Sequence, residues 1–130
     1  MVNTIPQSRI QGVGLGLKRQ FMDEILSTPD FEIDFLEIAP ENWLQLGGPV
    51  GRKLQMLSEQ FPFTCHGLSL DLGGPHPLNE DYVRQLKDFF ETHQIRYYTE
   101  HLSYCGDSGQ LYDLMPIPFT EEAVFYVADR

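Results

Sequence analysis

Basic residues are scarce in this sequence. Nine lysines and arginines stand against nineteen aspartates and glutamates in 130 residues, a net charge of −10. A nucleic-acid surface needs a basic footprint, and the few cations here are scattered, so nucleic acid is not an expected partner. The same balance disfavours docking on anionic lipid. Apolar runs are also short: none approaches the ~18 residues of a membrane helix. The opening stretch, MVNTIPQSRIQG, lacks the basic-then-apolar order of a signal peptide. Cysteine is rare, and Cys65 and Cys105 are too few for a disulfide framework. No internal repeat and no low-complexity tract is present. The default is a cytoplasmic protein whose partner is a small molecule, a metal or another protein. Solubility alone accounts for the acidity.

The chain has enough length, and with 42% hydrophobic residues enough apolar content, for one globular domain with a core. Short apolar runs alternate with helical periodicity. Gln11 to Leu17 (QGVGLGL) predicts a first strand whose glycines allow close backbone approach. Lys18 to Ser27 carries Phe21, Met22, Ile25 and Leu26 at helical spacing before Thr28-Pro29. Asp34 to Pro40 (DFLEIAP) predicts a second strand, exiting into Glu41, Asn42 and Trp43. Gly47-Gly48-Pro49 reads as a turn, and Arg52 to Phe61 as a second helix with Leu54, Leu57 and Phe61 on one stripe. The third strand begins at Phe63 and exits through His66, Ser69 and Asp71 into Gly73-Gly74-Pro75. Asn79 is a predicted N-cap, with Glu80 and Asp81 in the first turn of a helix that ends near His93. Arg96 to Ser103 predicts a fourth strand. A glycine-containing turn, Gly106 to Gly109, then leads into a hairpin excursion, Gln110 to Met115. Thr120 caps a last helix expected to bury Ala123, Val124, Val127 and Ala128.

Four strands alternating with four helices predict an α/β fold with parallel strands. Ligands in such folds bind at the carboxyl ends of the strands, and each polar cluster here follows a strand. A complete (β/α)8 barrel takes roughly 250 residues. Four βα units are about half of one, so a single-domain partial TIM barrel is expected, apparently truncated inside its last helix.

His66 and His101 fall near the ends of neighbouring predicted strands. Neutral imidazole is a common metal ligand and a general base near neutral pH. A pair of satisfied, half-buried histidines is the bland alternative. Glu100 precedes His101 directly, and consecutive strand residues face opposite sides. Both can be ligands only if the strand bulges or ends there; otherwise Glu100 supports His101. Asp71 and Ser69 can orient His66 or a substrate, or simply cap the loop before Gly73. Glu37 lies inside the apolar run FLEIAP and is expected to point into a barrel or toward a partner, as a buried carboxylate must. Glu41 and Asn42 can contact substrate or cap the loop that follows, and Trp43 packs. A Cys2His2 zinc site from Cys65, Cys105 and the two histidines lacks close C-x2-C spacing, and buried free cysteine is commoner. His76 and His93 are expected to be structural or solvated. Gly12, Gly14 and Gly16 mimic part of a dinucleotide fingerprint, but the glycines lie within the strand rather than in the turn after it, which excludes a Rossmann site.

The ordered set GVGLGL, FLEIAPENW, HGLSLDLGG, TEHLSY and MPIPFTEEAV, over about residues 10 to 130, resembles the N-terminal half of the DUF692 (UPF0276) proteins, the multinuclear non-haem iron-dependent oxidative enzymes. The resemblance implies a (β/α)8 barrel of the xylose-isomerase-like kind. It implies two or three irons in the intact enzyme, used with O2 to modify cysteines of ribosomally made peptides, and a small partner protein that presents the peptide. His66 and His101 match the family's first two histidine ligands, and Glu100 and Asp71 match nearby polar positions. The remaining ligands of the family (Glu, Asp, Asn and His) fall beyond residue 130, so this chain alone is expected to be inactive. Gly16 stands where many members carry arginine.

Two further readings follow from the same residues. A divalent-metal sugar isomerase or epimerase would use Mn, Mg or Zn, with Glu37 and Glu100 as ligands or proton-transfer groups. A non-catalytic half-barrel would pair through its exposed edges as a homodimer.

Overall fold

The structure is a computed structural model and describes residues 10–106 and 110–130. Four short strands, β1 (Gly14–Gly16), β2 (Phe35–Ile38), β3 (Phe63–Gly67) and β4 (Tyr97–Glu100), form one parallel sheet in chain order. Helices alternate with them: α1 (Met22–Ser27, entered through a 3-10 turn at Arg19–Phe21), α2 (Gly48–Gln60) and α3 (Glu80–Thr92). This is the expected mixed α/β architecture with parallel strands. The Gly-rich first strand has a steric reason. A Cβ on Gly12 or Gly14 would overlap the side chains of Asp34 and Phe35, and Gly12 sits at φ 101°.

The period-2 pattern of the strands divides the sheet into two faces. Leu36, Ile38, Phe63 and Cys65 are buried and pack with Met22, Ile25, Leu54, Leu57 and Phe89 in the core between sheet and helices. The opposite face carries Glu37, Thr64, His66, Tyr97 and Thr99, which are half-buried or exposed. Burial of each apolar side chain in the first group contributes ~1.5–3 kcal/mol. His93 belongs to the core too. It is buried, not solvated, and its Nδ1 lies 2.9 Å from Ser58 Oγ.

Two boundaries and one burial pattern differ from the sequence expectation. Gly47-Gly48-Pro49 is not a free turn: Gly47 is the N-cap and α2 starts at Gly48, because proline suits the first helical turn, where its missing N–H costs nothing. The fourth strand stops at Glu100 rather than at Ser103. Ser103–Gly106 (β5) instead pairs antiparallel with Gln110–Pro116 (β6) in a separate two-stranded sheet. The hairpin is therefore where expected, while residues 107–109 of its turn lie outside the described residues. Finally, α4 (Glu121–Asp129) has its predicted cap, Thr120 Oγ1 accepting from Ala123 N–H at 3.2 Å, but not its predicted burial. Val124 is 66% and Phe125 65% exposed, and no residue of α4 is fully buried. Its anchors are polar: Tyr126 donates to the Gly74 carbonyl, and Arg130 donates to the carbonyls of His76 (2.6 Å) and Asp71 (2.9 Å).

Candidate functional site

The parallel register brings the site together. Thr64, Cys65, His66 and Gly67 of β3 lie opposite Tyr97, Tyr98, Thr99 and Glu100 of β4. His66 and Thr99 are thus direct cross-strand partners on the open face. His101 is two residues beyond Thr99 and comes to the same side. His66 Nδ1 is 2.7 Å from Thr99 Oγ1, and His66 Nε2 is 2.9 Å from His101 Nε2, with the rings edge-on at 4.5 Å between centroids. Two imidazole nitrogens this close can both reach one ion bound at ~2.0–2.1 Å from each, so the donor pair fits a metal. Among the described residues no cluster of three or more His, Cys, Asp or Glu side chains completes a metal site. Glu37 shares the open face of the sheet, one strand away.

The carboxylates at the strand exits are occupied with backbone. Glu100 lies on the helix side of β4. Its Oε1 accepts from His101 N–H at 2.8 Å, and its Oε2 accepts from the Tyr98 hydroxyl at 2.7 Å and Leu70 N–H at 3.2 Å. Glu41, in the 3-10 turn Pro40–Asn42 after β2, accepts on Oε1 from Leu68 N–H (2.8 Å), Ser69 N–H (3.0 Å) and the Tyr82 hydroxyl (2.7 Å). Its Oε2 is buried without a hydrogen-bond partner among the described residues. Asp71, in the left-handed region at φ 58°, accepts on Oδ1 from Cys105 N–H at 2.6 Å and Gly106 N–H at 3.1 Å. Asn42 contributes its main-chain carbonyl to Arg19 at 2.9 Å, and Ser69 enters the network through its N–H.

These contacts set the electrostatics. Burial, then the hydrogen bond to Glu41, pushes the Tyr82 phenol above its usual range; burial and Glu100 do the same to Tyr98. The Cys65 thiol is pushed up to about 12, by burial first and then by the charges of Glu41 and Glu37. Cys105 is raised by burial and by Asp71. Both cysteines are buried and free, and strand alternation puts Cys65 on the helix side of the sheet, away from His66.

Sequence reasoning missed Thr99, Tyr82 and Tyr98. Thr99 could have been found: it precedes His101 by two, and strand alternation puts both on one face. Tyr82 lies forty-one residues from its carboxylate partner and has no local signal. Two clefts flank the strand ends without touching the histidines. One, of about 620 Å3, is polar and includes Arg19, Asn42, Gln45 and Gln85. The other, of about 490 Å3, is an apolar groove of Leu70, Val83, Leu86, Phe90, Ile95 and Tyr98.

Comparison with known proteins adds the family. The family described as RiPP precursor modification enzyme MbnB/TglH/ChrH matches residues 12–130. A UPF0276 protein of Alcanivorax borkumensis is 52% identical over 129 residues, covering 95% of this chain and 43% of the relative. A UPF0276 protein of Shewanella sediminis is 57% identical over 119 residues, 91% of this chain and 42% of the relative. One from Pseudomonas aeruginosa is 52% identical over 121 residues, 93% of this chain and 43% of the relative. The chain thus spans less than half the length of these curated relatives and corresponds to their N-terminal portion.

Proposed function

The chain belongs to the MbnB/TglH/ChrH family of RiPP precursor modification enzymes, and on that premise we propose that it forms the N-terminal half of a (β/α)8 barrel and contributes two histidine ligands to a metal centre that modifies a peptide. The observation that carries this reading is the convergence of His66 Nε2 and His101 Nε2, 2.9 Å apart, at the carboxyl ends of adjacent parallel strands. Imidazole with open positions suits ferrous iron; Mn, Mg or Zn are the alternatives. His66 and His101 would hold such an ion, whose chemistry when bound would be activation of O2 against a cysteine of a ribosomally made peptide.

The protein's own residues do the rest. His66 and His101 bind the ion, and Thr99 holds the far nitrogen of His66. Glu100 acts as support: with its oxygens on Tyr98, Leu70 and His101 N–H, it fixes the strand exit that aims His101. Glu41 and Asp71 hold the loop that follows His66, from opposite ends. Glu37 is the carboxylate left on the open face for a substrate or a further ion contact. On this reading the remaining ligands come from the part of the full-length relatives that this chain does not span, the peptide and a small peptide-presenting partner are separate molecules, and these 130 residues alone are inactive. No helix among the described residues is long and apolar enough to cross a membrane, which is compatible with the expected cytoplasmic setting of peptide maturation.

The test is iron content after anaerobic reconstitution with ferrous iron, for the wild type and for His66→Ala/His101→Ala, with folding checked by circular dichroism. Iron retained by the wild type and lost by an equally folded variant is the expected result. Equal iron in both refutes the assignment of these two residues as ligands.

A further inference from the structure

A ligating histidine must present a lone pair from one nitrogen, so its single neutral-form proton must sit on the other. At His66 the other nitrogen is Nδ1, and what it meets is the hydroxyl of Thr99 at 2.7 Å. Thr99 is the direct register partner of His66 on β4 and lies on the same face. Threonine is stiff at χ1 in a strand, which favours keeping its oxygen at one place. Thr99 is exposed, so its own hydroxyl proton can go to water while the oxygen accepts.

We infer that Thr99 is a positioning residue that sets the tautomer of His66: Nδ1–H donates to Thr99 Oγ1, and Nε2 keeps its lone pair toward the metal position. In the metal-free chain that lone pair accepts from His101 Nε2–H across the observed 2.9 Å. A hydroxyl does this without adding charge, unlike the carboxylate partners common behind metal-bound histidines. The ring plane of His66 is fixed by a cross-strand contact rather than by a loop. This inference rests on the metal reading above for its purpose, but not for its first measurement.

Two readouts test it. The first is the 15N chemical shifts of the His66 ring in the metal-free protein at a pH where the imidazole is neutral. The expected result is a protonated Nδ1 and an unprotonated Nε2 in the wild type, a mixed tautomer in Thr99→Val, and recovery in Thr99→Ser. A His66 proton on Nε2 in the wild type, or a tautomer unmoved by Thr99→Val, overturns the inference. The second readout is Zn2+ affinity. The expected loss in Thr99→Val is about tenfold or more, as for other residues behind a ligand, restored by Thr99→Ser. Unchanged affinity overturns the positioning role. If the wild type binds no Zn2+ or Fe2+ beyond His66→Ala/His101→Ala, the metal reading falls, and the tautomer measurement still decides the contact between Thr99 and His66.

Discussion

Gly67→Ala isolates the contact on which the strand exits depend. Gly67 faces Glu100 in the β3–β4 register and lies on the helix side of the sheet. A Cβ there would stand 2.3 Å from the Tyr98 hydroxyl oxygen, 2.4 Å from Glu100 Oε2 and 2.7 Å from Tyr98 Cε2. All three are far inside van der Waals contact, so the added methyl must displace the Tyr98–Glu100 hydrogen bond, now 2.7 Å. Losing a hydrogen bond to a charged group costs ~1.5–3 kcal/mol, and overpacking costs ~1–3 kcal/mol. The two overlap, because breaking the bond relieves part of the clash. The expected destabilisation is about 2–4 kcal/mol, a large part of the ~5–15 kcal/mol that holds a domain folded. Urea denaturation should show a lower midpoint with an unchanged slope. Tyr98→Phe alone should cost about 1–2 kcal/mol, since Leu70 N–H still satisfies Glu100 Oε2. In the double variant the bond is lost only once, so the total should fall short of the sum by about 1 kcal/mol or more. Strict additivity, or a Gly67→Ala effect within about 0.5 kcal/mol of zero, refutes the reasoning.

Other consequences are equally checkable. Burial holds His93 below its ordinary value of 6.5. The unfolded chain takes up a proton that the folded chain refuses, so this contribution is complete above that value and is lost as pH falls below it, at no more than about 1.4 kcal/mol per pH unit. His93→Gln should flatten the difference between urea midpoints at mildly acid and mildly alkaline pH; an unchanged difference places the effect elsewhere. Asp71→Ala removes the acceptor for Cys105 and Gly106 N–H and puts alanine at φ 58°. It should cost about 2–3 kcal/mol and speed hydrogen exchange at both amides, while Asp71→Asn, which tolerates that backbone, should cost about half as much. Cys65, with its thiol pushed up to about 12, and buried Cys105 should resist alkylation at mildly alkaline pH until denaturant is added. Fast labelling of either in the native protein contradicts the packing.

Local chemistry made much of this legible in the sequence. Asn79 and Thr120 are caps because their side chains precede helical runs, and both accept from the third residue on. The strand alternation of FLEI and FTCH separates buried from open positions, as the structure has it. The misreadings came from effects without local signature. RYYTEHLSY is uniformly strand-like, and what draws Ser103 and Tyr104 into a different sheet is their antiparallel pairing with Pro116 and Met115, which the run itself does not show. The apolar residues of α4 read as a buried face, but burial depends on a partner surface that periodicity does not report. Alternation within one strand places Thr99 on the face of His101, but its pairing with His66 lies in the register with β3, which a single strand does not reveal.

The acidic residues at the strand ends show why residue type alone overstates a site. Backbone N–H groups turned away from water must find acceptors, and the partly exposed stretch from Leu68 to Asp71 leaves the sheet with no ladder to supply them. Glu41 takes Leu68 and Ser69 from the β2 side, Glu100 takes Leu70 from the β4 side, and Asp71 reaches on to Cys105 and Gly106. Two of these carboxylates also anchor a tyrosine each, Tyr82 and Tyr98. A carboxylate so engaged has fewer lone pairs to offer an ion, and moving it would release the loop. The two histidines have the opposite accounting. Their backbone needs are met by the strands and by Glu100, and among the described residues their ring nitrogens meet each other and one hydroxyl. On the reading proposed above, chemistry at this end of the sheet falls to the imidazoles, Glu100 and Asp71 hold the backbone that keeps them in place, and Glu41 keeps one buried oxygen without a partner among the described residues.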